Sequence, residues 1–120
     1  GGKLIRVTDD HTEAERQKKL GMVNKSQGSG NKNVLTRYLG MDMKDLVVTP
    51  TYSDNFALHH GDAFLLCSDG LYNMVPDRTI AHVLKYCAVS PARKLVDEAI
   101  KAGGKDNVTA IAIDIREEGR

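Results

Sequence analysis

The chain has no tryptophan, and only four tyrosines and two phenylalanines among its 120 residues, so any core must be aliphatic. It lacks an excess of either charge. Seventeen Lys and Arg stand against sixteen Asp and Glu, a formal net charge of +1. That balance gives no electrostatic case for nucleic acid or an anionic membrane surface as partner. No apolar run is long enough to span a bilayer, and no signal-peptide pattern opens the chain. Only two cysteines are present. Cys67 closes an apolar run and Cys87 falls on the apolar stripe of a helical pattern. Both read as small buried hydrophobes in a reducing, cytoplasmic setting rather than as a disulfide. What remains is 41% apolar, enough for a core in one domain.

The start is unusual. Gly1-Gly2 is not a natural initiation sequence, and Lys3 to Thr8 already reads as a strand, as if the chain were a fragment. Asp9-Asp10-His11-Thr12 then opens a helix that Gly21 stops. Residues 22–33 are polar and glycine-rich and read as a surface loop. Val34 to Gly40 suggests a short helix closed by glycine, and Leu46 to Ser53 an edge strand interrupted by Pro50. A tight turn at Gly61-Asp62, with Asp62 as turn former, precedes the apolar run Ala63 to Cys67. Two amphipathic helices follow. Ile80, Val83, Leu84 and Cys87 line the first, with Asp77 as cap. Ala92, Leu95, Val96, Ala99 and Ile100 line the second, with Ser90 as cap and Pro91 at its first position. The last strand, Thr109 to Ile115, is apolar on both faces, which predicts a central strand packed on both sides. Helices and strands in this order suit a layered α+β domain.

Two acidic turns carry the chemistry. Ser68-Asp69-Gly70 ends the apolar run Ala63 to Cys67, and Gly104-Lys105-Asp106-Asn107 leads into the last strand. A carboxylate at the end of a buried strand is costly unless something pairs with it. Two such carboxylates brought together would suit a hard divalent cation. Alone, each turn reads as ordinary loop chemistry; the two amphipathic helices between them form a crossover that could bring the turns together.

The run Phe64-Leu65-Leu66-Cys67-Ser68-Asp69-Gly70-Leu71 resembles the signature of the metal-dependent type 2C protein serine/threonine phosphatases. Gly104-Lys105-Asp106-Asn107-Val108-Thr109 is similar to that family's last motif. Thr8-Asp9-Asp10-His11-Thr12, Leu35-Thr36-Arg37-Tyr38-Leu39-Gly40 and Gly61-Asp62 follow the family's order, so the resemblance covers nearly the whole chain. It implies that residues 1–120 are the C-terminal part of an α-β-β-α sandwich, antiparallel sheets flanked by helices, with 22–33 as a flap-like loop. It implies Asp69 and Asp106 as ligands of Mg²⁺ or Mn²⁺, with Asn107 steadying its turn. The implied reaction is hydrolysis of phosphoserine and phosphothreonine in proteins, in line and without a covalent phosphoenzyme. Phosphorylated proteins are the implied substrates, and a serine/threonine kinase acts in opposition.

The departure is as informative as the match. The family's N-terminal half supplies a bridging acid, a glycine carbonyl ligand, a phosphate-binding arginine and a histidine proton donor. No Asp-Gly-x-Gly-Gly run occurs here, so no catalytic residue is assigned within the chain. Two carboxylates without the bridging one should hold metal weakly, and this piece alone is expected to be inactive. The alternative is a non-catalytic regulatory or interaction domain on the same fold. A complete small protein that binds a cation structurally is a third reading. An isolated half-domain exposes sheet edges and apolar surface, which favours a dimer. His11 and Arg37 read as structural. His59 and His60 point to opposite faces of a strand and make a poor zinc site. Cys67 as a phosphatase nucleophile is discarded, because position 73 is Asn where that chemistry needs Arg.

Overall fold

The computed structural model describes residues 3–21, 34–42 and 49–119. The chain divides into two compact units, Arg6–Asn55 and Gly1–Ile5 with Phe56–Arg120.

In the Arg6–Asn55 unit, α1 spans Glu13–Lys19. Thr12 is its N-cap, with Oγ1 accepting from the Glu15 amide at 3.3 Å. Acids fill the first turn and bases the last, as the helix dipole favours. Gly21, at φ +69°, stops it as expected, its amide bonding Lys18 O at 3.1 Å. The expected helix Val34 to Gly40 does not form. Thr12 and Leu35 make an isolated antiparallel bridge instead, flanked by Glu13 N–H to Val34 O at 2.8 Å and Thr36 N–H to His11 O at 2.9 Å. The Val34 carbonyl and the Thr36 amide are committed to the approach to α1, which outcompetes a helical turn containing β-branched Val34 and Thr36. Gly40 turns the chain at φ +84°.

The strand expected at Lys3 to Thr8 makes no ladder, because no partner strand among the described residues pairs with it. Residues 49–53 of the expected edge strand are likewise irregular. Residues 46–48 and the flap-like loop 22–33 lie outside the described residues.

The second unit holds the core. β1 (Ala63–Cys67) pairs antiparallel with β2 (Ala110–Asp114), register Ala63↔Asp114 through Cys67↔Ala110. Between them come α2 (Asp69–Tyr72), α3 (Asp77–Tyr86) and α4 (Pro91–Lys101). Leu71, Val75, Ile80, Val83, Leu95 and Ala99 form the buried cluster, with Leu65, Cys67 and Ala110 of the sheet packed on it. The core is aliphatic, and both helical stripes contribute to it. Ile100 departs from its stripe and is 58% exposed. Pro76 rather than Asp77 occupies the N-cap of α3. Ser90 stands at the N-cap of α4, but at φ +49° its side chain makes no capping bond. Gly103 and Gly104 end α4, their amides bonding Ile100 O and Ala99 O.

The sheet differs from expectation on one side. Among the described residues β2 pairs with β1 alone. Opposite residues share a face, so Leu65, Cys67 and Ala110 look to the core while Leu66, Ile111 and Ile113 look away and stay exposed. Phe56 stacks on Phe64 over part of that outer face, ring centroids 5.8 Å apart. The apolar residues for a second packed layer are present in β2; the layer itself is not among the described residues.

Candidate metal centre

The β1–β2 pairing brings the two acidic turns side by side. Asp69 opens α2 directly after β1, and Asp106 lies in the turn between α4 and β2. Ser68 joins them. Its amide donates to Thr109 O at 3.0 Å, its hydroxyl accepts from the Thr109 amide at 3.0 Å, and the same hydroxyl donates to Asn107 O at 3.3 Å. The backbones touch as well. A Cβ on Gly70 would overlap the Asn107 carbonyl and lie 3.4 Å from the Asp106 Cβ, so only glycine allows this approach.

The Asp106 Oδ1 accepts from the Asn107 amide at 2.7 Å, which fixes its rotamer. Among the described residues no hydrogen bond or ion pair engages the Asp69 carboxylate. Both acids are exposed. The expectation of costly buried carboxylates is therefore corrected: they sit at the rim of the sheet, solvated, with lone pairs available to a cation. Two hard anionic oxygens on turns whose backbones touch suit Mg²⁺ or Mn²⁺. The set is partial, since among the described residues no group of three or more His, Cys, Asp or Glu gathers to hold a metal.

His11 and Arg37 belong to the other unit and to a polar network there. Arg37 Nη1 donates to Thr49 O at 3.0 Å and lies 3.2 Å from Thr51 Oγ1 and 3.3 Å from His11 Nε2. Thr51 Oγ1 is 2.8 Å from the same His11 nitrogen. Because Arg37 can only donate, its contact with His11 needs Nε2 as the acceptor. An open groove of about 590 Å³ lies here, lined by Asp9, His11, Arg37, Tyr38 and Tyr52 among others. Neither Asp69 nor Asp106 lines it, so concavity and acid chemistry do not coincide. Lys19, 2.9 Å from Asp9, holds that carboxyl below its usual range, and Arg16 does the same to Glu13.

The remaining residues behave locally. Asp62 Oδ2 accepts from the His59 amide at 2.8 Å, closing the turn at Gly61. His60 Nδ1 accepts from the Glu117 amide at 3.1 Å. Cys67 and Cys87 are half-buried and unbridged. Sequence reasoning took Ser68 as part of an ordinary turn and missed its bridging role. The available signal was a small hydroxyl at the junction of strand and acid, which only the strand pairing turns into a link.

Residues 6–108 match the model of the protein phosphatase 2C family. The serine/threonine phosphatase stp of Listeria monocytogenes is 32% identical over 98% of this chain and 47% of its own length. PstP of Mycobacterium tuberculosis is 45% identical over 56 residues, 46% of this chain. The crystal structure of the M. tuberculosis serine/threonine phosphatase PstP/Ppp superposes with a TM-score of 0.77 at 30% identity, covering 97% of this chain and 48% of that one. The S. agalactiae serine/threonine phosphatase gives the same TM-score at 28% identity. The chain thus spans about half the length of the relatives it matches end to end. With its two acidic turns, its α+β architecture and this match over most of its length, the chain belongs to the protein phosphatase 2C family.

Proposed function

We propose that this chain is the C-terminal portion of a phosphatase domain that hydrolyses phosphoserine and phosphothreonine in proteins, and that Asp69 and Asp106 are two of its metal ligands. The observation that carries the reading is the contact between the two acidic turns, made through Ser68, Asn107 and Gly70. Family membership supports the reaction, and the contact between the turns supports the choice of residues. When bound, Mg²⁺ or Mn²⁺ supplies positive charge for the phosphate and acidifies water. Asp69 offers an open carboxylate, and Asp106 offers one whose orientation the Asn107 amide fixes. Asn107 thereby steadies the turn and need not touch the cation.

The ligand set is incomplete within this chain, so residues 1–120 alone should turn over no phosphopeptide with Mn²⁺. The parent domain, carrying the upstream half, should do so. In that domain Asp69→Asn should lower turnover by two to three orders of magnitude, roughly the effect of removing one anionic ligand. The test is phosphopeptide hydrolysis across a Mn²⁺ series with both proteins. Turnover within tenfold of wild type in the variant would sink the ligand assignment. Robust metal-dependent turnover by residues 1–120 would sink the half-site reading.

A further inference from the structure

We propose that Ser68 is a positioning residue that presets the spacing of Asp69 and Asp106 before any cation arrives; this rests on the metal-ligand reading above. Its hydroxyl stands between the turns with both of its hydrogen-bonding roles engaged. It accepts from the Thr109 amide at 3.0 Å and donates to the Asn107 carbonyl at 3.3 Å. Ser68 is covalently next to Asp69. Asn107 is covalently next to Asp106 and also donates its amide to that carboxylate at 2.7 Å. One hydroxyl therefore reaches a neighbour of each acid.

The sheet ladder cannot do this alone. β2 begins at Ala110, so Asn107 lies outside the ladder, three residues before it. The link from Ser68 to Asn107 is a side-chain bond; the main-chain bond of Ser68 stops at Thr109. Gly70 allows the turns to touch but supplies no hydrogen bond to hold them. Removing the hydroxyl takes an acceptor from the Thr109 amide and a donor from the Asn107 carbonyl at once. The Asp106 turn would then choose its position independently of Asp69. The cation would have to order the two turns as it bound, and its apparent affinity would fall. Residues that hold ligands without touching the metal typically contribute ten- to a hundredfold in this way.

Paramagnetic broadening tests this on the 120-residue chain itself, with Mn²⁺ as probe and no enzymatic readout. In the wild-type chain the amides of residues 69–71 and 106–108 should broaden together over one Mn²⁺ range. In Ser68→Ala the midpoint should rise by about tenfold, with the two groups no longer titrating in parallel. Ser68→Thr keeps the hydroxyl and should restore both the midpoint and the parallel behaviour. Unshifted amides in α3 and α4 establish that Ser68→Ala remains folded. If Ser68→Ala matches wild type, or Ser68→Thr behaves as Ser68→Ala while folded, the positioning role is overturned and the ligand assignment stands. If Mn²⁺ broadens neither turn in the wild-type chain, the ligand assignment fails and the positioning role with it.

Discussion

The two units of this chain are held together by different physics. The unit that contains both acids has every buried side chain described in the structure, six aliphatic ones from α2, its following turn, α3 and α4. The Arg6–Asn55 unit has no buried side chain among its described residues. It rests on a capped single helix, an isolated bridge, and ion pairs such as Glu13–Arg16 at 2.6 Å and Asp9–Lys19 at 2.9 Å. Burial is worth kilocalories per side chain, whereas exposed pairs contribute little and are screened by salt. The comparison teaches that the acids are mounted on the part of the chain with a packed foundation, while the groove is mounted on the part without one.

The sharpest way to break this comparison is to truncate one leucine in each unit. Leu95 is fully buried, so Leu95→Ala should cost about 2–5 kcal/mol by urea denaturation. Leu39 is 95% exposed, so Leu39→Ala should stay within about 0.5 kcal/mol. Equal losses would show that the two units do not differ as described. A smaller effect is expected from Thr12→Ala, which removes the cap of α1. It should lower the stability of that helix by about 0.5–2 kcal/mol, read as faster amide exchange in residues 13–19 and unchanged exchange in α3 and α4. Uniform acceleration would mean that α1 and the core open together.

The smallest effect sharpens the contrast by acid. The carboxyls of Asp9 and Glu13 titrate below their unfolded values, so their support for the Arg6–Asn55 unit is complete only above about pH 5. It is lost as pH falls through the lowered, folded values. Amide exchange followed from pH 6 downward should therefore release α1 before α3 and α4. Simultaneous release would contradict the ion-pair account.

How much of this was legible in the sequence divides along the same line. Where apolar periodicity encodes burial, the sequence is legible: β1, α3 and α4 lie where the pattern predicts, α4 ending at Gly103 and Gly104, because Ile80, Val83, Leu95 and Ala99 have one place to go. Where it does not, the reading failed. Val34 to Gly40 ends in a glycine like a short helix, yet its Val34 carbonyl and Thr36 amide pair with the approach to α1, a long-range choice that local pattern cannot contain. The strand-like Lys3 to Thr8 has the right residues and no partner to pair with among those described. The acids are legible by motif, but their exposure is not, because the motif places a carboxylate at the end of a strand read as buried while the structure sets both acids at the solvated rim. Strand pairing in three dimensions had to be known before Ser68 could be recognised as the link.

Leu66, Ile111 and Ile113 leave the outer face of the sheet apolar and exposed among the described residues, which weakens the control of register. A sheet with one apolar and one polar face penalises a one-residue slip, because the slip turns greasy side chains to water. Here Leu66, Ile111 and Ile113 oppose Leu65, Ala110 and Ala112 across the sheet plane, so a slip exchanges apolar for apolar and burial barely resists it. The alignment must be enforced at the ends. Ile115 brackets one end, its amide and carbonyl bonding Asp62 O and Gly61 N–H, and Ser68 with Thr109 brackets the other. A slip of one residue would move one acid past the other by about 3.3 Å, the rise of a strand residue, more than a cation's ligand sphere tolerates. The end brackets therefore act as the indexing marks of the ribbon, and the chemistry is only as accurate as they are.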